Sequence, residues 1–201
     1  MKIDLGGKVV IVTGGGGAIG SAMCKELARC GAKVVASGRT LKTLETTVDA
    51  IRAEGLEASA ITADVSSKES VENLIRETVK IYGGLDVMVN NAGINGGPQF
   101  RKRVYEYDDG LWDRIVSIDL NGVYYCSKAA LKQMIAQGRG GSIINIGSIV
   151  GLTPLRLQCA FTAAKAGVFF CKSASISFKE IPAFFILFFT SIFRSKVDRR
   201  F

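Results

Sequence analysis

The sequence predicts a three-layer, doubly wound α/β domain built on a parallel sheet. Short β-branched runs alternate with longer stretches whose apolar residues recur every three or four positions, and a glycine cluster follows the first such run directly. Size agrees, because 201 residues suffice for one sizeable core but not comfortably for two. With 48% hydrophobic residues, 22% charged and 3 Pro against 23 Gly, the composition lies within the globular range.

Val9–Val12 reads as the first strand. Ser21–Cys30 follows as a helix with Met23, Leu27 and Cys30 on one stripe and Gly31 at its C-terminal cap. Lys33–Ala36 is the second strand, and Thr40 or Thr43 caps a helix running to Ala53, stopped by Gly55. Ala58–Ile61 gives the third strand. Ser66 or Ser67 then caps a helix carrying Val71, Leu74, Ile75 and Val79 on one face. Gly83–Gly84 breaks it before the strand Leu85–Val89, and Asn90–Gly97 is a loop. A long helix starts near Asp109 with Trp112, Ile115, Ile118, Val123 and Leu131 inward and ends by the Gly138–Gly141 cluster. Ser142–Ile146 is the fifth strand, and a last helix spans Cys159–Phe178. Such a sheet binds ligands beyond the carboxyl ends of its strands.

The final residues differ in kind. Ten of the eleven Phe lie at or after position 161, and no Gly lies beyond 167. Residues 1–180 therefore read as the folded domain, and 181–201 as a divergent hydrophobic and basic tail. That tail is either a hydrophobic final strand or the product of a truncated or frame-altered reading frame.

The charge balance excludes several functions. A net charge of +8 invites nucleic acid, yet the dense basic cluster Arg194, Lys196, Arg199 and Arg200 is terminal, and no basic stretch interleaves with aromatics on a regular period. Nucleic acid is therefore not an expected partner, and an excess of cations also suits a phosphate-rich ligand. The absence of His removes histidine triads and zincins, and no metal site is expected. Cys24, Cys30, Cys126, Cys159 and Cys171 form no Cys-x-x-Cys pair, and Met1–Lys8 lacks the apolar region of a signal peptide, so reduced thiols in a cytoplasmic chain are expected. The longest apolar run, Ala183–Phe189, falls far short of the about 20 residues of a membrane span.

The first strand leads into Thr13-Gly14-Gly15-Gly16-Gly17-Ala18-Ile19-Gly20 and then a helix. Small residues there let the backbone approach a pyrophosphate, whose charge then sits on unpaired N–H groups at the positive helix end. NAD sites usually carry an acid at the end of the second strand for the ribose hydroxyls. Here that place reads Ser37-Gly38-Arg39-Thr40, and Arg39 suits a 2′-phosphate, so NADP(H) is favoured over NAD(H).

These motifs together resemble the short-chain dehydrogenase/reductase family, with a Rossmann-like fold, over residues 5 to 178. The cofactor loop Thr-Gly-x-x-x-Gly/Ala-x-Gly is met by Thr13, Gly14, Ala18 and Gly20, with Gly16 and Ile19 inside it. Asp64-Val65 resembles the family's adenine contact, Asn90-Asn91-Ala92-Gly93 its Asn-Asn-Ala-Gly signature, and Gly147-Ser148 the place of its catalytic Ser. The resemblance extends into the tail, laying Lys172–Thr190 on a last helix and a sixth strand, Ala183–Phe189. Similar enzymes continue into a seventh strand, so the expected sheet lacks that strand and leaves the sixth as an association-prone edge.

The resemblance implies reversible oxidation of an alcohol, or reduction of a carbonyl, by hydride transfer. Ser148 would hold the substrate oxygen, and Lys165 would bind the nicotinamide ribose. Two positions depart from the pattern. The family's Tyr-x-x-x-Lys is Phe161-Thr162-Ala163-Ala164-Lys165, which lacks the acid hydroxyl and lowers the expected rate on the order of 10²–10⁴. The relay Asn is Asp119, which accepts hydrogen bonds but donates none when ionised. A catalytically silent nucleotide-binding or dimerising chain, and an incomplete product, are therefore alternatives to an active enzyme. The helices Asp109–Gln137 and Cys159–Phe178 would supply the face of a homodimer or homotetramer. Ile94–Tyr107 and Val150–Gln158 would line a substrate pocket whose residue mix fits sugars, steroids or acyl ketones alike.

Overall fold

The computed structural model describes residues 3–170 and 183–188. Six parallel strands form one sheet in the order β3-β2-β1-β4-β5-β6. They are β1 (Val9–Thr13), β2 (Lys33–Gly38), β3 (Ala58–Thr62), β4 (Val87–Asn90), β5 (Ser142–Gly147) and β6 (Ala183–Phe188). The chain winds outward from β1 to β3, then returns to lay β4 on the other side of β1, in register Val10↔Val34 on one side and Val10↔Val87 on the other. That reversal opens a crevice beyond the carboxyl ends of β1 and β4, where a doubly wound sheet takes its ligand.

β1 is buried at every position because the sheet is covered on both faces. Val10 and Val12 point to one side, into a core shared with Cys24 and Ala28 of α1 (Ala18–Arg29) and Leu44, Val48 and Ile51 of α2 (Leu41–Arg52). Ile11 points to the other, among Val71 and Leu74 of α3 (Lys68–Tyr82) and Cys126, Ala130 and Met134 of α5 (Gly122–Ala136). The three expected layers are present. Burial pushes the Cys24 and Cys126 thiols up to about 12, so both are inert core groups.

Helix ends follow local chemistry. Ser67 caps α3 by accepting the Ser70 N–H, and Gly83 ends it in the left-handed region at φ 78°. Thr40 occupies the N-cap of α2 without a side-chain capping bond. On α1 the fully buried line is Gly20, Cys24 and Ala28, with Met23 and Leu27 packed at its margin, so the expected Met23–Leu27–Cys30 stripe is displaced by one position. The helix rests so close to the sheet that small side chains take the nearest line.

The helix expected from Asp109 runs as α4 (Asp109–Val116), one π turn (Ser117–Asn121) and α5. Ile115, Ile118 and Val123 point inward and Leu131 packs on the core, but Trp112 remains 38% exposed. Ile115 takes the inward place against Ala160 and Ala164, with Leu111 packed beside it, and Trp112 lies off that line. α6 (Cys159–Phe170) is the described part of the last expected helix; residues 171–178 of that expectation lie outside the described residues. β6 pairs with β5 in parallel from Ser142↔Ala183 to Gly147↔Phe188. No described helix is long and apolar enough to cross a membrane.

Candidate active site

The glycine turn after β1 is held from three sides. The Gly15 N–H donates to the Ser37 carbonyl at 2.9 Å, tying the turn to the end of β2. The buried Thr47 hydroxyl of α2 donates to the Gly15 carbonyl at 3.1 Å, and the Gly17 N–H to the Gly14 carbonyl at 3.0 Å. Gly14 sits at φ 68°, where a side chain would be strained. A Cβ on Gly16 would collide with the Thr43 hydroxyl, and one on Gly20 with the Gly14 carbonyl oxygen. Ala18, Ile19 and Gly20 form the first turn of α1, which has neither a side-chain cap nor an acid, so no side chain neutralises its positive end.

Thr13 joins the ends of the two central strands. Its hydroxyl donates to the Val89 carbonyl at 3.2 Å and accepts the N–H groups of Asn91 and Ala92 at 3.0 and 3.1 Å. The Asn91 amide returns a bond to the Thr13 carbonyl at 2.9 Å. Between these ends lies a cleft of about 300 Å³, lined by Gly14, Gly16, Gly17, Arg39, Asp64, Val65, Ala92 and Gly93, and by Gly38, Thr40, Thr43, Leu44, Ala63, Ile94 and Ile118. Most of the expected cofactor residues thus converge on one cavity. Thr13, Ala18, Ile19, Gly20 and Asn91 build its frame.

Within this lining Arg39 is the only cation and Asp64 the only carboxylate. Asp64 is already engaged: it accepts the Ser66 hydroxyl at 2.7 Å and the Ser66 N–H at 2.9 Å, which hold its carboxyl below the ordinary range. Val65 packs against Gly122 at the head of α5, where a Cβ would approach Val65 Cγ2 to 2.8 Å.

Beside the cleft stands a second, drier cluster. Asp119 on the π turn is fully buried; its Oδ1 accepts the Ile94 N–H at 2.8 Å, and Oδ2 lies 3.2 Å from Lys165 Nζ. The Lys165 contact is an ion pair more than an aligned hydrogen bond, since Oδ2 finds no partner of good geometry. Burial raises the Asp119 carboxyl above the usual carboxylate range, and the Lys165 ammonium and Ile94 N–H oppose that rise without cancelling it. The Lys165 ammonium also donates to the Ile146 carbonyl at 3.4 Å and sits 5.7 Å from the Phe161 ring centroid. Phe161 and Lys165 therefore share a face of α6, as their spacing predicts.

Close backbone approach sets this cluster against the cleft. A Cβ on Gly93 would come within 2.7 Å of Asp119 Oδ2, so only Gly lets the fourth-strand loop pass the ion pair. Gly151 abuts the Lys165 backbone, and Gly167 abuts Leu120 of the π turn. Ser148 follows β5 and accepts the Val150 N–H at 3.4 Å, which starts the turn carrying Gly151. The direct Asp119–Lys165 pair and the Thr47 brace were not foreseen. Asp119 carried a signal, as an acid on an otherwise apolar helical stripe; Thr47 carried none. Asn90 adds a further buried link, donating to Asn145 Oδ1 at 2.7 Å and to the Ser127 hydroxyl at 2.9 Å.

A family profile described as short chain dehydrogenase matches residues 8–175. The chain belongs to the short-chain dehydrogenase family. An uncharacterized oxidoreductase of Thermotoga maritima is 40% identical over 164 residues, covering 82% of this chain and 62% of its own length. The crystal structure of a short chain dehydrogenase from Mycobacterium smegmatis superposes with TM-score 0.78 at 38% identity, over 84% of this chain and 71% of that one. A xylitol dehydrogenase solved with NAD+ bound gives TM-score 0.78 at 30% identity, over 85% of this chain and 64% of that one. The chain spans about three fifths of the length of the curated relatives it matches, 62% and 63% for the first two. Membership of the short-chain dehydrogenases implies a nicotinamide dinucleotide cofactor.

Proposed function

We propose that this chain binds NADP(H) in the glycine-lined cleft and serves hydride transfer between the nicotinamide and a small alcohol or carbonyl substrate. The observation that carries the reading is the cleft itself: a turn where Cβ atoms at positions 16 and 20 would collide, an uncapped helix end, and Arg39 as the cation of the lining. The cavity and its donors fit the cofactor. First-turn amides at Ala18 and Ile19 would hold the diphosphate, Arg39 the 2′-phosphate, and Asp64 and Val65 the adenine. Asn91, Ala92 and Gly93 would line the path toward the nicotinamide, with Lys165 at its ribose. When bound, the cofactor supplies the hydride.

The chain's own residues then have defined tasks. Ser148 would donate its hydroxyl to the substrate oxygen. Lys165, 3.2 Å from Asp119, would add positive potential beside that oxygen. Phe161 supplies a ring and no proton. That vacancy supports a second reading, a chain that binds cofactor without turnover, and exposed Trp112, Tyr124 and Ile135 along α4 and α5 support association as a homodimer or homotetramer.

Titration of the full chain with NADPH and NADH, followed by nucleotide fluorescence and by melting temperature, tests the cofactor assignment. Saturable NADPH binding, tighter than NADH, is expected. No response to either nucleotide removes the assignment. A carbonyl screen with Phe161→Tyr separates the two readings: turnover only in the variant shows that the hydroxyl alone is missing. An absent cooperative melt shows an incomplete product.

A further inference from the structure

We propose that a second cleft, between the segment after β4 and the segment before α6, binds the anionic end of an amphipathic small molecule, a carboxylate on an apolar body. This assignment rests on the proposed function, whose substrate class it names. The cleft is open to solvent and has a volume of about 470 Å³, within the range of small-ligand sites. Its cations are Lys102, Arg103 and Arg156, and its apolar wall includes Val104, Leu155 and Leu157; no acid appears among the described lining residues. None of the three cations forms an ion pair with a described carboxylate. Arg103 instead donates to the Tyr105 hydroxyl at 2.6 Å and lies 6.0 Å from that ring, which leaves its charge uncompensated.

Further observations mark the cleft as a built feature. Leu157 adopts φ 65°, the one non-glycine in the left-handed region among the described residues, and strain of this kind needs the surrounding structure to enforce it. Thr162 and Ala163 complete the wall from α6. Leu155 at 51% exposure and Val104 at 75% lie bare to solvent, apolar surface that a hydrocarbon body would cover. Cations and leucines in one cleft favour amphipathic anions over the sugars and neutral steroids that the loop composition alone also allowed.

Calorimetric titration of the full chain with decanoate and, separately, 1-decanol tests the proposal below micelle-forming concentrations. Decanoate is expected to bind at least about tenfold more tightly, as two or three exposed charges can supply, and to weaken with added salt. Arg103→Glu combined with Arg156→Glu is expected to abolish that preference while leaving the melting temperature within a few degrees. Lys128→Glu combined with Lys132→Glu changes net charge equally on α5 and is expected to leave it intact. Equal binding of acid and alcohol, or a preference that survives the first pair, overturns the proposal. So does binding to phosphatidylglycerol vesicles without binding to monomeric decanoate, which would mark a membrane surface instead. NADPH titration of the same preparation keeps the two readings apart: decanoate without NADPH removes the cofactor reading and leaves the anion cleft, and the reverse outcome removes only the cleft.

Discussion

The glycine-lined cleft and the Asp119–Lys165 cluster lie side by side, yet they are made of different material. The cleft is built from backbone: Gly14, Gly16 and Gly20 act by lacking a Cβ, and the end of α1 acts through peptide N–H groups. The cluster is built from side-chain tips, with Asp119 and Lys165 paired beside the Phe161 ring. A backbone site tolerates drift in everything except the residues that set its path. A side-chain site changes chemistry with one atom.

Four changes break or sharpen that contrast. The largest effect is expected for Phe161→Tyr, which restores a proton donor without altering the cleft. Turnover of a responsive carbonyl should rise on the order of 10²–10⁴ with NADPH affinity unchanged, and steady-state kinetics beside a binding titration would show it. An unchanged rate means that the cluster lacks more than a hydroxyl.

Asp119→Ala comes next. It strands the buried Lys165 ammonium and frees the Ile94 N–H, so about 3–5 kcal/mol of unfolding free energy should disappear in denaturant titration. Asp119→Asn keeps an acceptor for Ile94 and should lose less. Equal losses from both would mean that the charge on Asp119 carries the whole effect and the Ile94 bond contributes nothing.

Thr13→Val deletes one donor and leaves two N–H groups, Asn91 and Ala92, without their acceptor. The expected loss is about 1–3 kcal/mol, with weaker NADPH binding because the cleft floor loosens. A stability loss with unaltered affinity would separate the strand joint from the cleft.

The smallest effect concerns acid. Ser66 holds the Asp64 carboxyl below its ordinary range, so this pair stabilises the fold fully above the unfolded value, about 4, and loses that contribution as pH falls through the folded value. The melting-temperature gap between the parent chain and Ser66→Ala should therefore be present at neutral pH and close in acid. A gap that widens on acidification contradicts the assignment.

Much of the architecture was legible because local rules and global fold agree. Val9–Thr13 is apolar throughout since both faces of β1 are covered, and Gly83 stops α3 where a left-handed residue is needed. The glycine turn could be read for the same reason: its function is its geometry, and only Gly supplies it. Trp112 misled because periodicity marks a stripe but not its edges; Ile115 occupies the line against Ala160 and Ala164 that Trp112 was expected to share. The one-position shift on α1 has a similar origin, since the distance between helix and sheet decides whether small or large side chains lie innermost.

The residue types alone determined the doubly wound plan and the order of its motifs, because strand, turn and helix preferences act over a few neighbouring residues. Only the folded chain decided that Asp119 and Lys165, 46 positions apart, meet at 3.2 Å in a dry interior, that Gly93 lets a loop slip past them, and that Thr47 braces the Gly15 carbonyl. Contacts between distant segments depend on how closely helices dock against the sheet and on where the helix through Ser117–Asn121 widens into a π turn, distances that no local pattern encodes.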